Sequence, residues 1–187
     1  MVIKTKQVLT GLLLLCILLA GGIFLYLHLR PTEENRIRKL CNTFTEGISK
    51  KGKEGAIPAA ARAKSLSNLF TEQSYFSIAG LPWASAPRSR EKLSADIFRS
   101  RAMFSRLHLS FEDLSIRIEE GKNKAHITLS AVLSGTVNTD KELREVRELE
   151  GSLVKEEGVW LFESFRIREM LRKYKTDNFC KKYCILL

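Results

Sequence analysis

The sequence predicts an α+β domain, about three helices followed by an antiparallel sheet, carried behind one N-terminal transmembrane helix. Three observations predict it. Val8 to Leu29 contains no formally charged residue with His28 neutral. Between Thr32 and Leu107 apolar residues recur at helical spacing, and after Leu107 they alternate with period two. The chain therefore divides into a signal anchor over 1–30 (span 7–29), a domain over 31–172 and a basic, apolar tail over 173–187.

The apolar run is long enough to cross a hydrocarbon core of about 30 Å as a helix, the only form in which a single segment satisfies its own amides in lipid. A cleaved secretory signal has an apolar region of about 7–15 residues. Here the run continues past the small residues Ala20-Gly21-Gly22 through Ile23-Phe24-Leu25. Cys16 follows four leucines, which does not suit a lipoprotein signal. An uncleaved anchor is expected. Lys4 and Lys6 precede the span, while Arg30, Arg36, Arg38 and Lys39 follow it. Simple charge counting would keep the domain inside, but long following domains translocate largely regardless of charge. The expectation is a single-pass protein of a bacterial inner membrane, with the domain on the outer, periplasmic side.

Setting aside Lys4, Lys6 and Arg30 leaves 28 basic residues against 21 acids, from the chain's 31 and 21. A basic face suits the headgroups of a lipid bilayer. No nucleic-acid-binding motif accompanies the charge, so no nucleic-acid partner is expected. A protein partner or a second copy of the chain remains open.

In TEENRIRKLCNTFTEGISKKG (32–52), Thr32 can cap a helix whose first turn carries Glu33 and Glu34. Ile37, Leu40, Cys41, Phe44 and Ile48 form its apolar stripe, which makes Cys41 a packing residue. Pro58 suits the first turn of a second helix, with Leu66, Leu69 and Phe70 facing inward. TEQSYFSIAGLPWASAP (71–87) reads as irregular. Ser89 can cap a third helix, REKLSADIFRSRAMFSRL (90–107), with Leu93, Ile97, Met103 and Phe104 on one face and most arginines elsewhere. Leu114, Ile116 and Ile118 then alternate, EEGKNK (119–124) turns, and Ala125, Ile127, Leu129, Ala131 and Leu133 alternate again. That is a hairpin. VWLFESFRI (159–167) is a further strand. The segment 143–155 has helical propensity, but connection lengths favour a strand.

The chain resembles the nuclear transport factor 2-like superfamily, also called SnoaL-like or ketosteroid-isomerase-like. The resemblance rests on Phe70 at the end of the second helix, on LSFEDLSIRIEEGKNKAHITLSAVLSG (109–135) and on GSLVKEEGVWLFESFRI (151–167). It implies a cone-shaped domain, a curved antiparallel sheet wrapped round helices, with an interior pocket. Phe70, Tyr75, Phe76, Trp83, Phe104 and Trp160 are the candidates to line that pocket, or simply to form core. Enzymes of this superfamily use a carboxylate base shortly after the second helix. In LFTEQSYFSIAGLPW (69–83) that place holds Ser77-Ile78-Ala79, and Glu72 belongs at the exposed helix end. No catalytic residue, cofactor or metal is therefore expected. His108 and His126 read as exposed strand-edge residues, and Glu112-Asp113 as a kink.

The resemblance leaves three functions. One is a membrane-tethered, non-catalytic domain binding a partner protein or a small apolar ligand. Another is a scaffold subunit similar to the inner-membrane component of type IV secretion machines. The third is a SnoaL-like isomerase or cyclase with a rearranged base. A sealed cone favours the scaffold, an open pocket ligand binding, and a buried carboxylate the enzyme. The ending CKKYCILL reads as an unprenylated tail; Cys180 and Cys184 could pair as a disulfide, or one could reach Cys41. Prenylation of Cys184 is the competing reading.

Overall fold

The computed structural model describes residues 32–168 except 79 and 80, and between 78 and 86 it describes backbone only. Among these residues three helices and six strands follow in the order α1 (Glu33–Ile48), α2 (Ala56–Ser67), β1 (Phe70–Ile78), β2 (Leu81–Ser89), α3 (Arg90–Ala102), β3 (Phe104–Ile118), β4 (Lys124–Val137), β5 (Glu142–Glu156) and β6 (Val159–Ile167). The strands form one sheet in the order β2-β1-β6-β5-β4-β3. No helix among the described residues is long and apolar enough to cross a membrane. The apolar run over 7–29 and the tail with Cys180 and Cys184 lie outside the described residues.

Helices α1 and α3 start where their capping residues predict. Thr32 Oγ1 accepts from the Asn35 amide at 3.3 Å and Ser89 Oγ from the Lys92 amide at 3.4 Å. Ile37, Cys41 and Ile48 of α1 are buried, with Thr45 beside them. The long hairpin is present as read, with Leu109 opposite Leu133 and Ile116 opposite Ile127. Ala125, Ile127, Leu129, Ala131 and Leu133 all face the core. Asp113 has φ 53° at the register shift between Glu112 and Ser115, so the acidic pair does mark a kink. The ambiguous segment is strand: β5 pairs with β4 from Glu142 to Val154. It turns into β6 through Glu157 and Gly158, both at positive φ, which suits a tight hairpin whose twist matches the strands.

Four readings need correction. Residues 71–87 are not irregular; they supply most of the β1–β2 hairpin. Phe70 does not end α2 but begins β1. The sheet is mixed rather than antiparallel, because β1 runs parallel to β6 with Phe76 beside Phe165. α3 stops at Ala102, and Phe104 opens β3. The orphan carbonyls at that helix end are taken by a distant residue: Asn138 donates its side-chain amide to Ala102 O at 2.7 Å and its backbone N–H to Met103 O at 3.0 Å.

At Gly135 the backbones of β3 and β4 come so close that a Cβ would lie 2.4 Å from Arg106 O. A backbone carbonyl cannot rotate aside as a side chain can. Gly135→Ala is expected to cost about 1–3 kcal/mol, read as a lowered urea midpoint with an unchanged slope.

Candidate functional site

The interior comes first, because the candidate pocket residues were expected there. Phe44 of α1, Phe70 and Phe76 of β1, Phe111 of β3, and Phe162 and Phe165 of β6 form one connected set of rings. Centroids lie 5.0 Å apart for Phe162–Phe165, 5.2 Å for Phe70–Phe162, 5.6 Å for Phe44–Phe70 and 6.1 Å for Phe44–Phe111. Such separations are those of packed aromatics in contact.

The candidates with described side chains do not all converge. Phe70, Phe104 and Trp160 are buried, Phe76 is half-buried against the core, and Tyr75 is 56% exposed. Tyr75 pairs across the sheet with Ser164, while its neighbour Phe76 pairs with the inward Phe165, so Tyr75 points outward. Phe104 lies opposite Val137, at one end of β4; Trp160 lies opposite Lys155, which bonds to Asn123 beside the other end. Those ends are roughly 40 Å apart at strand rise. One pocket cannot contain both. Trp83 belongs to β2, and its side chain is outside the described residues.

No carboxylate replaces the missing base on β1 among the described side chains. Ser77 pairs with Arg166 on the outer face. Glu72 is 75% exposed and lies 3.4 Å from Arg90, so its exposed reading holds although it belongs to a strand. One inner-face carboxylate escaped the sequence reading. Glu145 is in register with Leu133 and meets Arg147 at 3.1 Å, their side chains 20% and 10% exposed. Its oxygen is engaged by a guanidinium, a poor starting point for a general base.

The outer face carries a groove of about 520 Å³ lined by Tyr75, His126, Ser152, Ser164 and Arg166 among others. His126 Nε2 lies 2.9 Å from Glu119 Oε1, and its Nδ1 lies 3.4 Å from Ser152 Oγ. The order of residue types suggests a nucleophile with its base. The geometry does not: the histidine is 55% exposed, the hydroxyl contact is long, and the ladders of β4 and β5 occupy the amides an oxyanion would need. This is a cross-strand polar row. His126 is on a central strand rather than an edge, a correction to its reading; the exposed His108 is on the edge strand β3.

A larger cavity, about 710 Å³, lies between the end of α1, the loop Ser49–Gly55 and β3. Arg101 closes its floor. This side chain is 3% exposed and donates from Nη1 to Gly47 O and, at 2.7 Å, to Ile48 O; Nη2 meets Glu54 Oε2 at 2.7 Å. Its Nε is buried with no partner among the described residues. Burial alone would raise the Glu54 carboxyl, but the hydrogen bond and charge of Arg101, helped by Arg62, hold it below the usual carboxylate range. Sequence reading put most α3 arginines away from the core, and Arg101 is the exception.

Cys41 is fully buried, and burial pushes its thiol up to about 12 against the opposing charge of Arg38. It packs as a small hydrophobe, as expected. In the native protein at pH 8, iodoacetamide is expected to leave Cys41 unmodified, because almost no thiolate forms and none is accessible. Peptide mass spectrometry should find it alkylated only after unfolding in urea.

Neither a protein-family model nor a curated protein matches the sequence. Solved structures do match. A protein of unknown function from Mycobacterium tuberculosis is 17% identical, with 81% of this chain and 80% of that one covered at a TM-score of 0.58. A nuclear transport factor 2-like protein with a cystatin-like fold from Novosphingobium aromaticivorans is 17% identical over 84% and 90% of the chains, at 0.54. A protein from the same organism with a proposed scytalone dehydratase assignment is 14% identical over 81% and 91%, at 0.56. At such identities the likeness carries a fold and no activity. The chain has the nuclear transport factor 2-like, cystatin-like fold.

Proposed function

We propose that this chain is a membrane-tethered, non-catalytic nuclear transport factor 2-like domain that binds a partner protein, with residues 7–29 as its uncleaved anchor. The observation that carries the reading is the ring cluster. Phe44, Phe70, Phe162 and Phe165 occupy the interior in which a small apolar ligand or substrate would have to sit. Both cavities described above open at the surface instead. The tether rests on the uncharged run Val8–Leu29. A scaffold subunit of an envelope assembly is the form of this reading that a packed interior suits best.

Photo-crosslinkers placed at exposed Tyr75 and Lys53 in native membranes test it. The expected product is this chain joined to a second, different protein. A chain that yields no protein adduct from either position contradicts the partner.

Catalysis is tested separately. A ketosteroid-type substrate is expected to show no turnover above buffer. Turnover abolished by Glu72→Gln or Glu145→Gln would restore the enzyme reading.

A further inference from the structure

Among the described residues β3 is the last strand of the sheet, and its outer edge is only partly covered. Lys50 covers the first part: its N–H donates to Leu107 O at 2.6 Å and its carbonyl accepts from Leu107 N at 2.9 Å. One step on, Leu109 N donates to the Ser49 hydroxyl at 3.1 Å. Alternate residues of a strand direct their N–H and C=O groups to the same side. The Leu109 carbonyl and both main-chain groups of Phe111 therefore continue this edge, and no hydrogen bond covers them among the described residues. They border the 710 Å³ cavity. The kink at Asp113 ends the open stretch.

The charge around this edge is unequal. Arg62 and Arg101 are matched by Glu54, and Lys50 Nζ is spent on the Phe104 carbonyl at 2.8 Å. Lys51 and Lys53 line the same cavity, are exposed, and have no acidic partner among the described residues; Glu46 is the one carboxylate without an ion pair among the described residues that line it, and exposed Glu112 follows Phe111 on the strand. An uncovered strand edge is a template for another strand, and two free ammonium groups select the sign of what binds there.

We propose that this edge is a docking site for a short, extended, acidic segment of a partner protein. The segment adds to the sheet beside Leu109–Phe111, with its carboxylates toward Lys51 and Lys53. The inference rests on the protein-partner reading above and names where that partner binds.

The probe is a fluorescein-labelled peptide of four Glu-Val repeats, titrated by anisotropy against the full chain in nanodiscs. Saturable binding is expected. It should weaken at least about tenfold, roughly 1.4 kcal/mol, in the Lys51→Glu, Lys53→Glu double variant. These side chains are exposed, so the variant should retain its unfolding midpoint. The same peptide with N-methylated amides, which cannot pair along an edge, should also lose about tenfold, and a Lys-Val repeat should not bind. Absence of Glu-Val binding, or equal binding of the N-methylated peptide, overturns the docking site. Crosslinking of a partner from Tyr75, on the outer sheet face, would in that event leave the protein-partner reading standing.

Discussion

Phe162→Ala should destabilise the domain by about 3–5 kcal/mol, the range for deleting a fully buried aromatic ring. Phe162 is 0% exposed and touches the rings of Phe44, Phe70 and Phe165. Those three come from α1, β1 and β6, so removing the ring loosens the helix and both partners of the parallel strand pair together. The remaining rings are confined by the sheet and cannot collapse into the space. Thermal unfolding should drop by roughly 10–20 °C for a domain of this size. A drop of only a few degrees would mean that the interior is loosely filled, and it would reopen the small-ligand reading.

Arg101→Met should cost about 3 kcal/mol, the low end for breaking a buried pair, because Arg101 is buried while the Glu54 it leaves behind is partly exposed. The methionine fills similar volume but donates to nothing. Ile48 O and Gly47 O at the end of α1 lose their donor, and Glu54 keeps only Arg62, at 3.1 Å. The pH dependence identifies the mechanism. Glu54's carboxyl is depressed in the folded state, so its contribution is fully present above the unfolded carboxylate pKa and is lost as pH falls through the lower folded one. Urea midpoints should therefore fall with acidification more steeply in the parent protein than in Arg101→Met. Parallel pH profiles would show that the pair does not carry the effect.

What the sequence made legible was local. The hairpin of β3 and β4 could be read because one face of each strand is buried and the other is wet, which writes a period of two into the residues. Strand β5 could be recovered against its helical composition because its neighbours required a short antiparallel connection. β1 and β2 were missed for a physical reason. Gly80, Pro82 and Pro87 look like breakers, yet β2 is an edge strand, where proline is tolerated. Strand β1 owes its place to a parallel partner, β6, about ninety positions later, and no local pattern records that pairing.

The same distinction explains the site residues. Met103 and Phe104 continue the apolar spacing of α3, and the helix ends before them because Asn138 caps it from another strand's end. The aromatic candidates were read correctly as apolar, but residue type alone does not say which rings converge. Arg101 finds its acid 47 positions away in Glu54, and the open edge of β3 depends on where Lys50 happens to bridge it. Both are products of tertiary contact, and only the charge count hinted at them.

The central proposal is a packed, non-catalytic domain held to a membrane by residues that remain part of the mature chain. The most direct test is intact-mass measurement of the protein recovered from native membranes after extraction with alkaline carbonate. The account predicts that the chain stays in the membrane pellet with residues 7–29 still attached. Release into the supernatant, or a mature N-terminus near Ile23, would contradict it.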